Sequence, residues 1–166
     1  MVAPRTVLAV AFAGTLLVTA YAVFATVQIL VLNPLATVPG TDLGQIHAGL
    51  TAAGESSSWP PVAIVLGLGV ALALLVLVLV ARRRDGSVTA VVCAYLCLLA
   101  FGAPAYFVAS FGPGMALADA YLTSGGDHSR WSLALYATSG LALLGVLAVA
   151  VGMVTTRRGP GGSEAR

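Results

Sequence analysis

Four long stretches of this chain contain no charged side chain, and this feature restricts the fold more than any other. The stretches cover about residues 6–32, 61–81, 88–111 and 131–156. Roughly 20 apolar residues in an α-helix cross the ~30 Å hydrocarbon core of a bilayer. Only 8% of the residues are charged, compared with about 25% in soluble domains. The sequence therefore predicts an all-α fold, one integral membrane domain built as an up-down-up-down bundle of four transmembrane helices.

The basic residues predict how the bundle is oriented, because short arginine-rich loops stay on the cytoplasmic side of a membrane. All eight basic residues are arginine. Three fall in the predicted hairpin at 82–87 and two follow the fourth helix; these are Arg82, Arg83, Arg84, Arg157 and Arg158. We expect both termini in the cytoplasm and a disordered tail at 157–166. Trp59 and Trp131 fall at the opposite helix ends, where aromatic residues line the outer membrane interface.

Two longer outer loops are predicted, at about 33–60 and 112–130. In the first loop, Asn33-Pro34 is expected to end the helix, because proline biases the residue before it away from the α conformation. Asp42 and Gln45 then have the spacing of a capping box, which predicts a short helix over about 42–53. In the second loop, Pro113-Gly114 should end the third helix, and another short extracytoplasmic helix is expected over 115–122.

A few side chains inside the stretches interrupt the apolar pattern. Gly102 and Pro104 predict a kink in the third helix, because proline has no N–H to donate to the preceding turn. Gln28 is the strongly polar side chain of the first helix, and we expect it to hydrogen-bond between helices. Cys93 and Cys97 lie four residues apart in mid-span, where small apolar packing is the expected role.

The first stretch has a second interpretation as a cleaved signal peptide, since Ala20-Tyr21-Ala22 resembles a cleavage site. The apolar core of a signal peptide is about 7–15 residues long. Here the apolar sequence continues past the candidate site, which favours a retained helix.

Histidines and carboxylates of the outer loops are the candidate metal ligands or acid–base groups. Nitrogen and carboxylate oxygen ligands suit Zn²⁺, and the same side chains can transfer protons. The candidates are His47, His128, Asp119 and Asp127. The alternative is that these residues only cap helices and face water.

The function predicted from the sequence is that of a non-catalytic accessory subunit or interaction protein. No Asp, Glu, Lys, Arg or His falls within the four stretches, whereas ion-coupled transporters keep such residues in the membrane. No catalytic motif or cofactor site is recognisable, and no nucleic-acid partner is indicated.

All basic residues are arginine and none is lysine, which indicates a GC-rich bacterial genome. The predicted location of the chain is therefore the bacterial inner membrane. Expected partners are the lipid bilayer and other membrane chains or a second copy. The alternatives are a small enzyme or metal site on the outer face, or a channel or transporter for an uncharged or lipidic solute.

Overall fold

The computed structural model describes residues 4–56, 59–83 and 87–157. Every regular element among these residues is helical, which confirms the predicted all-α bundle. The elements are α1 (Pro4–Val27), a π-helical segment (Gln28–Leu32), α2 (Asn33–Thr37), α3 (Leu43–Ala52), α4 (Trp59–Arg82), α5 (Val88–Ala100), α6 (Gly102–Tyr121) and α7 (Ser132–Arg157). Arg84 in the predicted hairpin and residues 158–166 of the predicted tail lie outside the described residues, whereas Arg157 is the last residue of α7.

Four helical runs are long and apolar enough to cross a membrane, so the chain is a multi-pass membrane protein. They are Arg5–Thr37, Trp59–Arg82, Val88–Tyr121 and Ser132–Thr155. Arg5, Arg82 and Arg83 lie at one end of these spans, here named the arginine end, and Trp59 and Trp131 lie at the other, the tryptophan end. At 1.5 Å per residue the first and third spans are about 50 Å long, and the other two about 36 Å. The first and third spans therefore project about 15 Å past the tryptophan end.

Two of the predicted helix ends are wrong. The first helix does not end at Asn33-Pro34, because the Asn33 N–H bonds to the Gln28 carbonyl in a widened π turn and Pro34 occupies the first turn of α2. Proline is tolerated in a first helical turn, where its missing N–H is not needed. Pro113-Gly114 does not end the third helix either. Pro113 is buried inside α6, and the predicted separate helix at 115–122 forms the last turns of α6.

The third span is divided at Phe101, between α5 and α6. Pro104 has no N–H for the carbonyl of Ala100, which lies one turn earlier. A Cβ on Gly102 would lie 2.7 Å from Cζ of Tyr21. Glycine at this position therefore lets the Tyr21 ring of α1 pack directly against the backbone where the span is divided.

α1 forms the centre of the bundle. It packs against α4 and α5, whereas α7 packs mainly against α5. Within the most apolar part of each span, 39% of the first span is buried inside the protein but only 11% of the fourth. The outer faces of α4 and α7 therefore contact the lipid bilayer.

A polar contact joins three spans in the half of the bundle nearer the arginine end. The hydroxyls of Thr15 and Tyr95 lie 2.8 Å apart, and the Tyr95 hydroxyl donates to the Ala73 carbonyl at 3.1 Å. The Tyr95 ring lies against α1 where Gly14 has no side chain, and a Cβ on Gly14 would overlap that ring. The close approach of α5 to α1 therefore depends on Gly14.

We expect Gly14→Ala to lower the free energy of unfolding in detergent by about 1–2 kcal/mol. Overpacking costs about 1–3 kcal/mol, which exceeds the gain of up to about 1 kcal/mol from helix propensity. Gly67→Ala is the matched control, because no atom lies within 4 Å of its added Cβ. Equal stabilities of the two variants in a denaturant titration would contradict the packing assigned to Gly14.

Candidate functional site

A cluster of hydrogen-bonded polar side chains lies at the tryptophan end of the bundle. It comprises Gln28, Asn33, Tyr106, Asp127, His128 and Ser129, and we name it the polar latch. Gln28 belongs to the π-helical segment and is completely buried, and Asn33 follows it at the start of α2. The π turn places these two amide side chains next to the loop at 122–131. π-helical turns occur frequently at functional sites.

The two amides hold the second loop against the first span. Oδ1 of Asn33 accepts hydrogen bonds from the backbone N–H groups of His128 (2.7 Å) and Ser129 (3.3 Å). The Ser129 hydroxyl donates to Oε1 of Gln28 at 3.1 Å. Buried backbone N–H groups need a hydrogen-bond partner. By accepting both of these bonds, Oδ1 of Asn33 holds the loop at this point of the bundle.

Asp127 connects the same loop to the third and fourth spans. The Tyr106 hydroxyl donates to Oδ1 of Asp127 at 2.6 Å, and the Tyr136 hydroxyl donates to Oδ2 at 3.4 Å. The two tyrosine rings pack edge to face, with centroids 5.6 Å apart. Tyr106 is completely buried, so the short bond to Asp127 gives its hydroxyl a partner at the edge of the core.

His128 is held by side chains on both sides of its ring. Nδ1 lies 3.2 Å from Oγ1 of Thr37, and Nε2 lies 3.4 Å from Oγ of Ser124. The Thr37 hydroxyl donates its hydrogen to the Asn33 carbonyl. The contact with Thr37 is therefore a hydrogen bond when Nδ1 carries the proton.

The predicted helix in the first loop is present as α3, and Asp42 and Gln45 form its capping box. Ile46 and Leu50 of α3 pack against the last turns of α6. The Tyr121 hydroxyl donates to the Ile46 carbonyl at 3.1 Å. Together α2, α3, the last turns of α6 and the loop at 122–131 form a compact layer, which we name the cap.

The four candidate metal ligands do not form a metal-binding cluster. Asp127 and His128 belong to the polar latch, whereas His47 is exposed on α3 and Asp119 is exposed on α6. Among the described residues, no three His, Cys, Asp or Glu side chains are grouped so that they could hold a metal ion. Cys93 and Cys97 are unbridged and partly buried in α5.

The intramembrane and interfacial residues singled out from the sequence lie near the same end. Nε2 of Gln28 is buried and has no hydrogen-bond partner among the described residues, although Oε1 is bonded. Trp131 is exposed and packs edge to face on Phe24, with ring centroids 6.2 Å apart. Trp59, at the start of α4, is 65% exposed. Both indole rings are thus available to the bilayer at the tryptophan end.

An apolar cavity of about 400 Å³ lies beside the division of the third span. Its lining comes from α1, α4 and the third span, and includes Gly69, Leu72, Phe101, Gly102, Pro104 and Val108. Phe101 and Val108 are exposed, so the cavity is open to the lipid-facing side. These apolar side chains suit a hydrocarbon, and Tyr21, which also lines the cavity, has its hydroxyl bonded to Ser139 at 3.2 Å.

Of the six latch residues, the sequence singles out Gln28, Asp127 and His128 but not the contacts that join them. Asn33 is predicted only to end a helix, and Tyr106 and Ser129 are not among the candidate residues. Two amide side chains near the end of one long apolar helix were the available indication. The chain matches no family model, no curated protein and no solved structure.

We expect Asn33→Ala to accelerate hydrogen exchange at the backbone amides of His128 and Ser129 by roughly tenfold. Removing the acceptor leaves two N–H groups without their partner, and such a loss costs about 1–3 kcal/mol per buried group. Asn33→Asp keeps an acceptor oxygen and should exchange at nearly the parent rate. Exchange measured by mass spectrometry tests this, and protection of these amides in Asn33→Ala would contradict the latch.

Proposed function

We propose that the chain is a small, non-catalytic accessory subunit or interaction protein of a bacterial inner membrane. In this proposal both termini are cytoplasmic and the cap faces the extracytoplasmic side. The separation of Arg5, Arg82 and Arg83 from the two tryptophans supports the orientation, because arginine concentrates on the cytoplasmic side. The lipid-facing spans and the ordered cap support a role in contacting other membrane chains.

The composition of the cap supports contact rather than catalysis. The carboxylate of Asp127, the ring of His128 and the amide of Asn33 are all engaged in hydrogen bonds that hold the cap in place. The partners come from the first, third and fourth spans, so these side chains connect the loop to the bundle. Because these hydrogen bonds hold the loop in place, the cap presents an ordered surface that a partner can contact.

The single observation that carries this proposal is the exposure and the backbone conformation of Leu122. Its side chain is 93% exposed, and its backbone adopts the left-handed conformation, with φ 54° and ψ 41°. That conformation costs a residue with a Cβ about 1–2 kcal/mol, and helices usually place glycine there. Leu122 follows the projecting end of α6, beyond the length that hydrocarbon covers. We infer that it inserts into a partner chain.

Replacing Leu122 tests both the stability of the chain and its binding to a partner. We expect Leu122→Gly to keep or raise the thermal stability of the chain, because glycine adopts the left-handed conformation without a steric cost. The same change should lower the recovery of a stoichiometric membrane partner at least fivefold. The measurement is purification of tagged chain in mild detergent with quantitative mass spectrometry, the partner being another chain or a second copy.

Leu141→Ala is the matched control, because Leu141 is 69% exposed on the lipid-facing side of α7. It should leave the recovery unchanged. A photo-crosslinking residue at position 122 should crosslink to the same partner. A monomer without a stoichiometric partner, or full recovery with Leu122→Gly, would overturn the proposed role.

A second candidate function is the binding or passage of an uncharged, lipid-soluble solute, and the apolar cavity favours it. Gly69 lines this cavity and Gly67 does not, yet neither has an atom within 4 Å of an added Cβ. We expect Gly69→Leu to reduce binding of a pyrene-labelled long-chain alcohol about tenfold, and Gly67→Leu to leave it unchanged. Equal fluorescence titrations for both variants would exclude the cavity as the binding site.

A further inference from the structure

A second groove lies between the first turns of α1 and the last turns of α4, at the arginine end. Its volume is about 550 Å³. Leu8 and Phe12 of α1 and Val78 of α4 contribute apolar walls, and Ala9 adds little bulk. Arg5 lines the groove as its charged residue. It is separate from the cap and from the cavity beside Phe101.

The spacing of the lining residues gives the groove a direction. Arg5, Ala9 and Phe12 recur at helical intervals, so they share one face of α1. From Arg5 to Phe12 the groove follows the helix axis for about 10 Å. It therefore lies along the direction of acyl chains in a bilayer, with the guanidinium at the end where headgroups lie.

The distribution of charge favours an anionic headgroup at this end. Arg82 and Arg83 end α4 close to the groove and are exposed. The carboxylates of the described residues all lie toward the tryptophan end, at Asp42, Glu55, Asp119 and Asp127. Asp85, which lies outside the described residues, follows three consecutive arginines. Among the described carboxylates, then, none is placed to neutralise Arg5.

We propose that this groove binds one anionic phospholipid. An acyl chain lies against Leu8, Phe12 and Val78, and the guanidinium of Arg5 pairs with the phosphate. Arginine suits this role because its planar donors match phosphate oxygens, and basic pockets between transmembrane helices bind anionic headgroups. The inference adds a ligand site on the opposite end from the cap and does not depend on the role proposed for Leu122.

Native mass spectrometry of the detergent-purified chain, titrated with phosphatidylglycerol or with phosphatidylethanolamine of the same chain length, tests the charge requirement. We expect one preferred phosphatidylglycerol per chain. Arg5→Gln should weaken its binding about tenfold, because the phosphate loses the charge-assisted hydrogen bonds of the paired guanidinium. Arg83→Gln removes the same charge outside the groove, so it should lose only the weaker surface attraction and change binding less than Arg5→Gln does. Arg5→Lys should restore part of the affinity.

A second pair of variants tests whether the apolar groove holds the acyl chain. Ala9→Phe fills the groove without changing charge, and we expect it to weaken phosphatidylglycerol binding about tenfold. Ala150→Phe places the same ring on the exposed surface of α7, which does not line the groove, and should have no effect. Equal losses in Arg5→Gln and Arg83→Gln would show diffuse attraction to the basic end. Unchanged binding in Ala9→Phe, or full displacement by glycerol phosphate, would show headgroup binding without the groove. Either result would overturn the proposed site.

Discussion

A buried amide must find its hydrogen-bond partner within the protein, because solvent does not reach it. At the tryptophan end this requirement connects residues that are far apart in the chain. Oδ1 of Asn33 bonds to backbone groups of His128 and Ser129, 95 and 96 positions later. That one oxygen and Oε1 of Gln28 are both bonded to the second loop, and these bonds hold the loop of the cap against the first span. The positions of Asp127, His128 and the start of α7 follow from the same contacts.

The sequence was sufficient to predict the number of spans, their class and the capping box of α3. Those features depend on local composition and spacing, which a single chain displays directly. It was insufficient for the latch because the π turn changes the geometry of the helix. In a regular α-helix of 3.6 residues per turn, Gln28 and Asn33 would point in different directions. The wider turn of the π segment brings both side chains to the same loop. No local sequence pattern predicts a π turn at this position.

The two wrong helix ends have a common physical origin. From the sequence, Pro34 and Pro113 both predict a helix end, but the effect of a proline depends on whether the lost hydrogen bond was needed. Pro34 follows a π turn and begins a new helical turn, and Pro113 lies in a helix whose packing holds it in place. At Pro104, beside Gly102, the helix is divided instead. The sequence left open whether the candidate metal ligands converge, since convergence of loop side chains is decided by tertiary contacts.

Three tyrosines in this protein lie with the ring or hydroxyl against the backbone of a glycine: Tyr95 on Gly14, Tyr21 on Gly102 and Tyr121 on Gly49. These contacts recur at successive depths, from near the arginine end to the cap. Each ring fits only where a side chain is missing, so moving one helix by a turn along its neighbour would place the ring against a Cβ. The tyrosine hydroxyls add directional bonds at the same places. Apolar helices that could otherwise slide freely in lipid are thereby held in a single axial register.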